Sequence, residues 1–117
     1  MEIIYCLVPK HYWEKWAENE YYLPRDYEQE GFIHATKGDD LLTKVAGRVY
    51  GDTNDELYVL VIDEQKVTAP IKYEKAKDGL LYPHIYGKLN TDAIAEIRQM
   101  VKIDGKWAIG DRVDSHT

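Results

Sequence analysis

Two histidines stand where apolar strands would ordinarily carry valine. His34 closes the run Phe32-Ile33-His34 ahead of Ala35-Thr36, and His84 lies inside Tyr82-Pro83-His84-Ile85-Tyr86-Gly87. Each imidazole is followed two residues later by a hydroxyl: Thr36 in the first run, Tyr86 in the second. Residues i and i+2 of a strand share a face, so each segment offers an imidazole and a hydroxyl side by side. Imidazole binds ligand oxygens in either tautomer and titrates near neutral pH. The competing account of one such histidine is a core residue whose ring nitrogens bond backbone carbonyls. Two of them weaken that account, because each has to be satisfied separately. His34, Thr36, His84 and Tyr86 are therefore candidate ligand-binding residues. Gly87 joins them, since a missing Cβ lets backbone or ligand approach closely.

Charged neighbours complete the set. Glu74 ends the run Ile71-Lys72-Tyr73-Glu74 and is a candidate catalytic carboxylate alongside His84; the alternative is a solvated strand end. Arg48 and Lys88 are the nearest counter-charges for a phosphate, and both types are also common surface cations. The helix expected after Thr36 opens beside His34, and a helix N-terminus attracts anions.

Other chemistries lack their parts. Zinc needs three or four ligands at recognisable spacing, and the sequence has one cysteine and no His-x-x-x-His, so no metal site is expected. There is no Gly-x-Gly-x-x-Gly and no phosphate-binding Walker loop. The only serine, Ser115, sits in the last residues, which excludes a serine triad. Cys6 lies in an apolar run and reads as an inert core thiol; a single cysteine rules out an intrachain disulfide and suits a reducing compartment.

The elements that must position these residues are legible in part. Glu2–Val8 reads as a central strand broken by Pro9, with a helix opening at Pro9 or Lys10 and carrying Trp13, Trp16 and Ala17. Residues 21–30 read as a loop. The segment after Thr36 is the clearest helix, with Leu41, Val45 and Val49 on one face and Leu42 and Ala46 beside them. Thr36 and Asp39 have capping-box spacing. Glu56–Asp63 is the strongest strand, and Ile71–Glu74 alternates. Pro83 demotes its segment to an edge strand or irregular chain. Asn90 or Thr91 is expected to cap a short helix, and Asp104-Gly105 to turn a hairpin.

A length of 117 residues, 44% hydrophobic and 31% charged, fits one globular domain over residues 1–113 with a tail at 114–117. Six or seven strands and two or three helices that do not alternate strictly predict an α+β fold. A net charge of −6 disfavours duplex nucleic acid. No basic leader precedes an apolar core, and no apolar run approaches the ~20 residues of a membrane span. A cytoplasmic chain is expected, with no membrane partner.

The order of Gly-Phe-Ile-His-Ala-Thr, amphipathic helix, Leu57–Asp63, Ile71–Glu74 and Tyr82–Lys88 resembles the bacterial proteins of domain-of-unknown-function family 952, from about Ile4 to Ile94. Lys88 departs from the resemblance, standing where the family usually has proline. By fold this family is grouped with the ADP-ribosyltransferases. The resemblance thus implies split antiparallel sheets around a cleft that in relatives holds NAD, making NAD a candidate substrate. It also implies a strand-borne His or Arg on the adenosine ribose and a late Glu stabilising an oxocarbenium-like centre. The first strand here has no such His or Arg, and the acidic pairs Glu18/Glu20 and Glu28/Glu30 lie early in polar stretches that read as decoys. Three functions follow: a small-molecule cleft for a nucleotide or phosphorylated metabolite without catalysis, NAD-dependent ADP-ribosyl transfer or NAD glycohydrolysis, and a protein-interaction domain presenting a patch of its ten tyrosines. Oligomeric state is left open.

Overall fold

The longest apolar run forms the centre of the molecule. In this computed structural model, which describes residues 2–113, strand β4 (Leu57–Asp63) is buried along its whole length. Strands covered on both faces carry continuous rather than alternating apolar sequence, which is why Leu57–Ile62 reads as it does. The tail expected at 114–117, with Ser115 and His116, lies outside the described residues.

β1 (Ile3–Pro9) pairs antiparallel with β4, which pairs with β8 (Ile94–Ile103), which pairs with β9 (Lys106–Arg112), giving the order β1-β4-β8-β9. Side chains alternate across this sheet. Ile4, Cys6, Val8, Leu60 and Ile62 join one core cluster, while Leu57 and Val59 join a second with Leu42, Ala46, Met100 and Trp107. The second cluster seats the helix α3 (Asp39–Tyr50). A three-stranded antiparallel sheet, β3 (Ile33–His34), β6 (Leu81–Ile85) and β5 (Ile71–Lys75) in that order, carries the histidine segments. A short pair, β2 (Tyr21–Tyr22) with β7 (Leu89–Asn90), completes the strands. Tyr5 and Thr36 bridge the two larger sheets through N–H···O bonds of 2.8 and 2.9 Å. The result is one mixed α+β domain built mainly of antiparallel sheets.

Several local expectations give way to tertiary structure. The first helix, α1, is a single turn, Lys10–Trp13, capped by Pro9; Trp13 and Trp16 then pack on Tyr22 with ring centroids at 5.5 and 6.0 Å. The expected loop at 21–30 contains β2 and a one-turn helix α2 (Tyr27–Glu30), ended by Gly31 at φ 81°, a conformation glycine adopts without penalty. The capping box does not form: α3 starts after Gly38, Thr36 is in the bridge to Tyr5, and Asp39 accepts from the Tyr5 hydroxyl at 2.6 Å.

Pro83 lies in the middle strand of its sheet, not at an edge. N–H and C=O of one strand residue point to the same neighbour, and the Pro83 carbonyl accepts from Ala35, just past the end of two-residue β3. The missing donor therefore faces a strand that has already finished. The short helix expected from Asn90 or Thr91 is only a 3-10 turn at 91–93, because β8 begins at Ile94. Asn90 does not cap it; its amide bonds Thr68, Lys66 and Asp92 instead. The β8–β9 hairpin turns on Asp104 and Gly105, at φ 52° and 80°, as the type I′ reading requires. Tyr21 and Tyr73 are the exposed tyrosines, so the ten do not make a surface patch.

Candidate functional site

β3 and β6 bring the two imidazoles together. His34 and His84 are register partners across that ladder, with ring centroids 5.3 Å apart. Phe32 joins them: it stacks on His84 at 4.1 Å with an interplanar angle of 18°, and meets His34 edge-on at 4.7 Å. The sequence reading missed Phe32, although the same i/i+2 rule that joined His34 to Thr36 reaches back to it.

Both histidines line a cavity of about 490 Å³. Thr36 and Arg48 line it too. Its walls come from β1, β3 and β6, from α3, and from the chain around α2. On α3 the faces sort in an informative way. Leu42 and Ala46 are the buried residues, whereas Val45 and Val49 line the cavity, Val49 being 61% exposed. The stripe that reads from sequence as the core face is the one turned to the cleft.

Glu74, Tyr86 and Gly87 do not line this cavity. Glu74 and Tyr86 act on it through His84. Glu74 Oε1 receives His84 Nδ1 at 2.7 Å and also the Tyr86 hydroxyl. Those bonds, Tyr86 first and His84 second, hold the Glu74 carboxyl below its usual range. An ionised carboxylate only accepts, so Nδ1 carries the proton and, in the neutral ring, Nε2 carries the lone pair. Gly87 answers to a different constraint: at φ 149°, a Cβ there would sit 2.9 Å from the Cβ of Ala69. The close approach it permits is between two chain segments. Lys88 is exposed, lies over the Tyr21 ring at 5.6 Å, and is not part of the lining.

Arg48, in the last turn of α3, has Nη1 3.5 Å from Asp78 Oδ2. Asp78 is itself fixed, accepting from the Tyr82 hydroxyl at 2.5 Å and the Leu80 N–H at 2.9 Å. These contacts, the Tyr82 hydroxyl foremost, hold Asp78 below the usual aspartate range. The guanidinium is thus oriented while still more than half exposed.

Glu30 corrects the view of the early acidic pairs as decoys. It lines the cavity with Asp26, and its Oε2 is 3.7 Å from His34 Nε2. Its signal in the sequence was its spacing, four residues before His34, with Gly31 in the left-handed conformation between them. Cys6 is buried, donates to the His34 carbonyl at 3.3 Å, and has its thiol pushed up to about 12 by burial, as an inert core residue should. No group of three or more His, Cys, Asp or Glu poised to hold a metal occurs among the described residues. No helix there is long and apolar enough to cross a membrane.

Residues 7–97 match the family model described as Protein of unknown function (DUF952). The chain belongs to that family. The DUF952 match spans both histidine segments, α3, Glu74 and Gly87, and ends before β9. The fold is similar to the crystal structure of protein CC0527 from Caulobacter crescentus, with a TM-score of 0.76 at 20% identity over 90% of this chain and 92% of that one. The solution NMR structure of CC0527 gives 0.72 at 20% identity over 91% of each chain. At that identity the likeness speaks for the fold alone. No curated protein matches this DUF952 chain at a significant level.

Proposed function

We propose that the cleft binds a nucleotide-sized, singly phosphorylated metabolite and holds it without chemistry of its own. The observation that carries this reading is the meeting of His34 and His84, 5.3 Å apart, on one cavity of about 490 Å³ that Arg48 also lines. Ligand sites of about 300–1,000 Å³ enclose molecules of this size. One guanidinium, against the carboxylates of Asp26 and Glu30, favours a single anionic group over a polyphosphate. The case for binding over turnover rests on Glu74: its Oε1 is taken by His84 and Tyr86, and the residue stands outside the lining, so it positions His84 rather than facing a ligand.

Calorimetric titration with AMP and with ribose 5-phosphate tests the reading. Binding by at least one is expected, weakened in Arg48→Ala and His84→Ala with the fold retained. Absence of binding by both would end the proposal.

A second reading, NAD-dependent ADP-ribosyl transfer, draws on Glu30, a carboxylate at the cavity 3.7 Å from His34. It predicts nicotinamide release from NAD that is lost in Glu30→Gln and in His84→Ala. Incubation without release removes it.

A further inference from the structure

Two hydroxyls on nearly buried residues of the cleft make no hydrogen bond among the described residues. Tyr22 is 2% exposed and Thr36 5% exposed, and both line the cavity. Of the other buried side chains with a polar atom, Asp63 accepts from the Gln65 N–H, Asn90 bonds Thr68, Lys66 and Asp92, and Tyr82 donates to Asp78, while Tyr58 and Trp13, which do not line the cavity, make no side-chain hydrogen bond among the described residues. Thr36 makes backbone bonds to Tyr5, yet its side chain makes none among the described residues. The Tyr22 ring is held by Trp13, Trp16 and Tyr12, with centroids 5.5, 6.0 and 6.4 Å away. Among the described residues, no side-chain nitrogen or oxygen sealed from solvent lacks a partner. The Tyr22 and Thr36 hydroxyls, having none, are therefore not sealed from solvent, and both residues line the cavity.

Tyr50 adds a third. It is half-buried, lines the cavity and makes no side-chain hydrogen bond among the described residues. It lies near enough to Tyr22 for ionisation of one to oppose that of the other. Burial is the main cause pushing both phenols up, so the three groups are neutral hydroxyls at physiological pH. Hydroxyls both donate and accept. Around them stand Leu7, Ile33, Ala35 and Val45, apolar side chains suited to the faces of a flat ring. Hydroxyls without a partner among the described residues that are open to solvent are free to bond a ligand in its place.

We infer that Tyr22, Thr36 and Tyr50 form a neutral recognition floor for a flat heterocycle whose edge carries both donors and acceptors, the base end of a nucleotide. The inference rests on the proposed small-molecule function and specifies it: base on the hydroxyls, the single phosphate toward Arg48.

Tyr22→Phe and Thr36→Val delete the hydroxyls and little else. Binding of AMP, UMP and ribose 5-phosphate is measured by calorimetry in wild type and in both variants, with melting followed in parallel. Each variant is expected to lose about five- to tenfold in affinity for whichever nucleotide binds more tightly. Affinity for ribose 5-phosphate should stay unchanged. Melting temperature should hold, because neither hydroxyl bonds another group of the described protein and neither is sealed from solvent. If nucleotide affinity stays within about twofold in both variants, the floor is refuted while the cleft stands. A fall of more than about 5 °C in both variants would make the hydroxyls structural and overturn the inference. If none of the three compounds binds wild type, both the function and the floor fall.

Discussion

Replacing Gly87 with alanine separates a structural constraint from a ligand contact. The backbone at Gly87 has φ 149°, and an added Cβ would stand 2.9 Å from the Cβ of Ala69, where ordinary contacts begin at about 3.4 Å. The two segments cannot easily part, since the Tyr86 N–H donates to the Pro70 carbonyl at 2.8 Å, one residue from each clashing position. The backbone conformation costs a non-glycine residue about 1–3 kcal/mol. Forcing a methyl into a packed contact costs about 1–3 kcal/mol more. Gly87→Ala should therefore lose about 2–6 kcal/mol in urea unfolding, with m unchanged. Ala69→Gly in the same chain removes the overlap and leaves the backbone term, so the double-mutant cycle should return a favourable coupling of about 1–3 kcal/mol. Ligand affinity of the folded Gly87→Ala protein should match wild type, because Gly87 does not line the cavity. A loss below about 0.5 kcal/mol would refute the close-approach argument. A full loss with no coupling to Ala69 would assign the effect to backbone strain alone.

Three further outcomes follow from the same structure. Leu42→Ala, at a fully buried position of α3, should cost about 2–5 kcal/mol, whereas Val49→Ala, 61% exposed on the cleft, should cost under about 0.5 kcal/mol yet weaken ligand binding; chemical denaturation and calorimetry read the two effects. Glu74 has a folded-state pKa lowered by Tyr86 and then His84, so its contribution is present above the usual glutamate value near 4.5 and lost as pH falls through the lowered value. Urea midpoints followed down through that range should fall less steeply in Glu74→Gln than in wild type, and equal slopes would contradict the pairing. The Cys6 thiol, pushed up to about 12 by burial, should not react with a disulfide reagent at pH 8 until the protein unfolds; rapid labelling of the folded chain would contradict its burial.

Much of the fold is legible because local sequence and final environment agree. Leu57–Asp63 is strongly β-forming and ends up covered on both sides. Asp104-Gly105 supplies the two positive φ values its turn needs. Where they disagree, a distant segment has intervened. Pro83 is tolerated in a middle strand only because β3 stops at His34. Asn90 has good capping chemistry, but Thr68 and Lys66 claim its amide. The candidate site was legible as residue types: His34, Thr36, His84 and Arg48 all reach the cavity. Its carboxylates were harder to read, since Glu74 is held behind His84 and Glu30 comes to the front.

Sequence by itself set β1, β4 and the β8–β9 hairpin of the central sheet, though not the start of β8, together with the long helix and the two imidazoles that interrupt apolar runs, because these depend on composition and period within a few residues. Only the tertiary structure decided that His34 and His84 face each other, that Val45 and Val49 rather than Leu42 and Ala46 turn to the cleft, and that Tyr22 lines it. The reason is physical: strand register and helix rotation are fixed by contacts between distant segments, whose closure entropy and packing no local window contains.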